Sequence, residues 1–144
     1  MNPPAVAAIA HAIELAVAPV FLLAGVGAIL SVLAQRLGRI IDRARVLHGR
    51  LYEGIATDHA DILAELGILD RRMRVVNVAI TLCTVCALSI CAVIAVLFLG
   101  SFVRVPLGPL VAGFFVAAMA CLTVALLAFL VEIYLATVKL SIRR

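Results

Sequence analysis

With 66% hydrophobic residues in 144 and a mean hydropathy of +1.26, the chain is far more apolar than an ordinary soluble domain. Charged residues make up only 14%, and the net charge of +4 comes from cations beside apolar runs, not from a basic soluble fold. A water-soluble globule and a nucleic-acid-binding domain are therefore both poor readings.

From Pro3 to Gln35 the single formal charge is Glu14, while Val75–Val103 and Val105–Val131 carry none. Each run exceeds the roughly 20 residues that a helix needs to cross a bilayer. The sequence thus predicts an all-α integral membrane protein, a single membrane domain over residues 1–144 with three transmembrane helices. The spans are expected at about 13–33, 76–99 and 109–135. Residues 34–75 form a long polar connection, and no room is left for a further folded domain. Met1-Asn2-Pro3-Pro4 lacks the cationic start of a cleavable signal, and the apolar run outlasts such a signal.

In the first span Glu14 follows His11 by three residues and shares its helical face. It reads as an interfacial carboxylate at a helix start, or as one member of a ring at an outer mouth that attracts cations. A metal site with His11 has too few ligands. Pro19 suggests a kink, and Gly25 and Gly27 would allow close helix contact.

Past the first span, Leu33, Leu37, Ile40, Ala44, Leu47 and Leu51 alternate spacings of four and three, a heptad seam. Ile62, Leu66, Leu69, Met73 and Val76 repeat it on the far side of Glu53-Gly54-Ile55-Ala56-Thr57, where the glycine would stop one helix and Thr57 or Asp58 would cap the next. Folding the arms antiparallel pairs residues whose numbers sum to about 109. That register sets Arg39 near Asp70 and Arg43 near Glu65. The predicted hairpin extends from helices one and two by about 25 Å at 1.5 Å per residue. It serves as a plain connector, as an assembly or partner surface, or as an amphipathic segment lying on anionic lipid.

In the second span Asn77, Thr81 and Thr84 form a polar stripe that reads as packing glue between helices or to the backbone. Cys83-x-x-Cys86 lies within the apolar run, with Cys91 further along it, and reads as a pair of small apolar packers one turn apart, not as a redox or metal motif. Gly100-Ser101 gives a turn signal after Leu99. The third span opens after Pro106 and Pro109, at a helix start where proline is tolerated. Gly113, Ala117, Cys121 and Ala125 form a small-residue row permitting close approach to a helix of the same chain or of a neighbouring copy. Glu132 ends the span, with Arg36, Arg71–Arg74 or Lys139 as expected partners in an ion pair that fixes helix packing, or with an ion-handling role.

Eleven of the twelve cations fall in the 36–74 connection or the tail, and only Arg104 lies between spans two and three. The positive-inside rule puts the arginine-rich side, with the hairpin and the C-terminus, in the cytoplasm and the N-terminus outside.

Ala18-Pro19-Val20-Phe21-Leu22-Leu23-Ala24-Gly25, then Leu33-Ala34-Gln35-Arg36-Leu37-Gly38-Arg39-Ile40-Ile41-Asp42-Arg43-Ala44-Arg45, Arg71-Arg72, Asn77, Ala79-Ile80-Thr81-Leu82-Cys83-Thr84 and Glu132-Ile133-Tyr134-Leu135-Ala136 resemble the small bacterial membrane proteins grouped as domain of unknown function 2721. The resemblance covers roughly Ile13 to Leu140 and implies a three-helix protein of the bacterial inner membrane. It brings no activity and names no reacting residue.

No nucleophile–base pair and no H-E-x-x-H pattern occurs, so neither an enzyme nor a cofactor is expected. His48 and His59, flanking the hairpin turn, read as solvated. The features are those of interaction: a self-assembling membrane scaffold, homo-oligomeric and in contact with the lipid bilayer, with a cytoplasmic protein as a further partner. The alternative is a homo-oligomeric channel for a permeating ion, lined by span one. Glu14 would then stand at the outer mouth, Phe21 and Gly25 at an apolar constriction, and Arg36, Arg39 and Arg43 at a basic inner mouth.

Overall fold

The structure, a computed structural model, describes the backbone of residues 3–52, 59–102 and 108–141 and the side chains of 9–52, 59–100 and 108–134. These residues form three α-helices, α1 (Pro3–Tyr52), α2 (His59–Phe102) and α3 (Gly108–Ser141). All three are long and apolar enough to span a membrane. Helices are what such runs must form in lipid, because the bilayer core offers no water to satisfy a free N–H or C=O.

The helix ends depart from expectation in two places. α2 passes through Gly100 and Ser101 and ends at Phe102. A glycine costs a helix only about 1 kcal/mol, and the uncharged run continues beyond it to Val103, so the turn signal is overridden. α3 begins at Gly108, which puts Pro109 inside its first turn, where the missing N–H has no intrahelical acceptor to lose. Pro19 is buried inside α1 without ending it. The glycine stop at Gly54, the caps Thr57 and Asp58, and Arg104 and Pro106 lie outside the described residues.

Packing divides the chain into two compact units that alternate along the sequence, 1–30 with 82–124 and 31–81 with 125–144. In the first unit the buried apolar residues are Ala12, Ala16, Val26, Cys83, Cys86, Ile90, Val93 and Ala118. In the second they are Leu33, Ile40, Leu47, Leu69, Val76, Ala79 and Ala125, joined by the buried charge of Glu132.

Heptad periodicity runs through the buried positions of every helix. On α1, Pro19, Val26, Leu33, Ile40 and Leu47 are buried at intervals of seven, so the repeat read from Leu33 onward already operates further up the apolar run. On α2, Leu69, Val76, Cys83 and Ile90 form one such series and Ala79, Cys86 and Val93 a second. In the second series Ala79 is fully buried, and seven residues before it stands Arg72, half-buried like the expected seam residue Met73. On α3 the buried series is Ala118, Ala125, Glu132.

Candidate functional site: one glutamate shared by two arginines

Glu132 ends an α3 stripe whose previous members are alanines, so its carboxyl is carried into the same packed seam and is only 1% exposed. A carboxylate taken out of water costs several kcal/mol unless it is paired and hydrogen-bonded. The pairing comes from both other helices. Arg36 Nη1 on α1 donates to Glu132 Oε2 at 2.8 Å, and Arg72 Nη2 on α2 donates to Glu132 Oε1 at 2.6 Å. Both carboxylate oxygens are used, and one side chain links three helices. The Arg36 guanidinium also lies over the ring of Phe129, 5.1 Å from its centroid, within the range of a cation–π contact. Phe129 precedes Glu132 by three residues, so one turn of α3 presents both an anion and a ring face to the same arginine.

Beside this bridge lies a partly open cavity of about 290 Å³ lined by Arg36, Arg39, Ile40, Arg43, Leu69, Arg72 and Glu132. Arg43 is turned toward α2, where its Nε and Nη2 donate to Glu65 Oε1 at 3.1 and 2.9 Å. Arg39 has no ion pair or hydrogen bond among the described residues. The Nε of Arg72 is buried without a hydrogen-bond partner among the described residues.

Of the partners expected for Glu132, Arg36 and Arg72 are found, while the side chain of Lys139 lies outside those described. The Arg43–Glu65 pair forms as expected. The Arg39–Asp70 pair does not: Asp70 accepts from Arg74 Nη2 at 2.6 Å on its own helix. An i,i+4 partner one turn away orders less chain than a residue on another helix, so the local pair wins. Phe129 is not among the expected partners, although the Phe-x-x-Glu spacing sets it one turn before Glu132 on the same face.

Glu14, Phe21 and Gly25 are exposed, and none of them lines the arginine cavity. His11 Nδ1 stands 3.9 Å from Glu14 Oε2, too far for a hydrogen bond. Close contact at Gly25 and Gly27 is not made among the described residues: a Cβ at either would meet none of them within 4 Å. The α3 row divides similarly. Ala125 is buried, Cys121 is half-buried, and Gly113 and Ala117 are exposed, with open space around Gly113. The α3 seam within the chain runs through Ala118 instead, one residue away from the row.

Asn77, Thr81 and Thr84 are all exposed. The Thr81 hydroxyl donates to the Asn77 carbonyl at 2.9 Å, as Ser89 does to Val85 and Thr123 to Met119. These hydroxyls satisfy themselves on their own helix, the local bonding typical of Ser and Thr within helices. Cys83 and Cys86 are buried free thiols, Cys91 is exposed and Cys121 half-buried. Among the described residues no group of three or more His, Cys, Asp or Glu comes together. His48 and His59 are exposed, and His48 Nδ1 lies 3.0 Å from the Ala44 carbonyl.

No curated protein and no solved structure matches the chain. A family match does cover most of it, over residues 16–142, and includes α2 and α3 entire and every residue of the Glu132 cluster. By that match this three-helix protein belongs to the family described as "Protein of unknown function (DUF2721)".

Proposed function

We propose that this chain is a multi-pass protein of a bacterial inner membrane that assembles with copies of itself into a scaffold, and is not an enzyme. The observation that carries the reading is the small-residue face left open on α3. Gly113 and Ala117 are exposed, with open space where a Gly113 side chain would stand. Small residues gain little from contact with lipid tails, but they let a second helix approach closely, which is how helices associate where lipid removes the hydrophobic drive. Gly25 and Gly27 offer a similar opening on α1.

In this reading the polar parts of α1 and α2 form an antiparallel hairpin in the cytoplasm. Its support is the Arg43–Glu65 pair, the burial of Leu33, Ile40, Leu47, Leu69 and Val76, and the crowding of cations on that side of the spans. The hairpin's outer face is the natural place for a cytoplasmic protein partner.

The test is the number of subunits in nanodiscs, read by single-molecule photobleaching for the wild type and for Gly113→Leu/Ala117→Leu. The scaffold reading expects two or more copies in the wild type and a shift to monomer in the double variant. A wild-type monomer at every protein-to-lipid ratio would overturn it. Leu47→Asp addresses the hairpin separately: assembly that survives it leaves the hairpin as a connector only.

A second reading is favoured by one feature. Glu14, Phe21 and Gly25 lie at intervals of seven and four on an exposed face of α1, the stripe a pore lining would need. If several copies enclose an ion path along it, Glu14→Gln changes cation selectivity in a liposome flux assay. Unchanged flux and selectivity would remove Glu14 from that role.

A further inference from the structure

We infer that the arginine cavity beside Glu132 is a binding site for a phosphate-bearing anion. The first argument is charge. The seven lining residues carry four arginines and one glutamate, four positive charges against one negative, or +3. Including Glu65, which holds Arg43, still leaves +2. The second is unused donor capacity. Four guanidiniums offer five N–H groups each, about twenty donors, and the carboxylates of Glu132 and Glu65 take four of them. Arg39 is uncommitted among the described residues, so the cluster contains at least one complete fork facing no fixed acceptor. Planar forked donors match phosphate oxygens two at a time.

The third argument is size. At about 290 Å³ the cavity lies near the lower limit, about 300 Å³, of pockets that hold small organic ligands. It suits a phosphate group and its immediate substituent better than a whole nucleotide. The apolar contribution to the lining is confined to Ile40 and Leu69.

The position of the cluster narrows the source. Arg36 is the first residue after one uncharged run, Arg74 closes the charged stretch before the second, and Glu132 is the first charge after the third. Arg36 and Glu132, which line the cavity, stand where the apolar segments of α1 and α3 give way to charge. Arg72 lies two residues short of that point on α2, and the remaining lining residues follow within about two helical turns, near the level of lipid headgroups. An anionic phospholipid whose phosphate enters between Arg36, Arg39, Arg43 and Arg72 is one source, and free phosphate is the other. The Glu132 bridge has a defined part in either case. By holding Arg36 and Arg72 it keeps two like-charged guanidiniums in place before any anion arrives. The site is complete within one chain and does not depend on assembly of copies.

The experiment uses the full chain in a nonionic detergent and measures binding by native mass spectrometry and by the shift in melting midpoint. Phosphatidylglycerol is compared with phosphatidylcholine, and sodium phosphate with sodium chloride at equal ionic strength. Arg39→Gln is the diagnostic variant, because its side chain is exposed and unpaired and its loss leaves the Glu132 bridge intact. Arg45→Gln removes the same charge from an exposed position that does not line the cavity.

The expected result is binding of phosphatidylglycerol at least tenfold tighter than phosphatidylcholine, lost by about tenfold in Arg39→Gln and kept in Arg45→Gln. Protection by phosphate with the same variant pattern, and no preference between the lipids, would assign the site to free phosphate. Equal losses in Arg39→Gln and Arg45→Gln would show diffuse attraction and overturn the inference. So would an absence of any preference for phosphate or phosphatidylglycerol over their controls.

Discussion

The two units of the molecule are held by different means. In the first, five of the eight buried apolar residues among those described are alanine or cysteine (Ala12, Ala16, Cys83, Cys86, Ala118). In the second, Leu33, Ile40, Leu47, Leu69 and Val76 dominate, and a carboxylate shared by two guanidiniums crosses the core. The difference follows from the solvent each stretch of sequence is built for. In lipid a leucine gains nothing from leaving the tails, so helices associate by bringing backbones close, and small residues allow it. Where the sequence turns polar, as around Ile40, Leu47 and Leu69, water again drives branched side chains together at heptad spacing, and Leu33 and Val76 continue that seam into the apolar runs. The charged bridge lies where the uncharged runs end, in a setting dry enough to make pairing strong and close enough to the polar segments to supply arginines.

The sharpest way to break this comparison is to remove the anion. Glu132→Ala leaves Arg36 and Arg72 without their shared acceptor, and loss of one member of a buried pair costs about 3–5 kcal/mol. The lower end is expected here, because the two arginine side chains remain 30% and 26% exposed. Unfolding by SDS titration in mixed micelles reads the change. The triple variant Arg36→Met, Arg72→Leu, Glu132→Leu is expected near wild-type stability, because apolar residues of similar volume commonly replace a buried ion group without loss. A cost below about 1 kcal/mol for Glu132→Ala would mean that the bridge is not what holds the three helices together.

A second pair of variants asks whether the units obey different packing rules. Ile40→Ala opens a cavity in the branched-residue seam and is expected to cost about 2–5 kcal/mol. Ala118→Leu does the opposite in the small-residue unit, forcing bulk into a close approach, at about 1–3 kcal/mol. The informative comparison is Ala118→Leu against Ala117→Leu, one residue along the same helix. Ala118 is fully buried and Ala117 exposed, so only the first should alter unfolding of a monomer in detergent. Equal effects at both would show that α3 is not seated on the Ala118–Ala125–Glu132 seam.

Much of this was legible in the residues. Three runs longer than a bilayer is thick, two of them uncharged and the first charged only at Glu14, leave little choice but three helices. Leu33, Ile40 and Leu47 announced their seam through a spacing of seven, and Glu132 announced a need for arginine because a lone carboxylate there is costly. Less legible was which of several near-equivalent residues would face inward. Met73 looks like a better core residue than Arg72, yet both are half-buried, Arg72 being held by its bond to Glu132, and beside the half-buried Ile80 it is the small Ala79 that is fully buried. The partner of Arg72 stands sixty positions away, beyond the reach of any pattern local to α2. Asp70 misled for the opposite reason. The expected register pairs it with Arg39 on α1, while Arg74 stands one turn along its own helix.

The smallest effect belongs to the pair that looked most like a register device. Arg43 and Glu65 are half-exposed, and a double-mutant cycle with Arg43→Ala and Glu65→Ala is expected to give about 0.2–1 kcal/mol of coupling, falling as salt is raised. Three features argue for the upper half of that range: two donors of one guanidinium converge on one oxygen, the pair joins separate helices, and the chain between them spans 22 positions. The Arg74–Asp70 pair, more exposed and local to α2, should give less. If the two cycles gave equal values, the pairing between α1 and α2 would owe nothing to charge. Register would then rest on Leu33, Ile40 and Leu47 against Leu69 and Val76 alone, and reversing the pair as Arg43→Glu/Glu65→Arg would leave both stability and assembly unchanged.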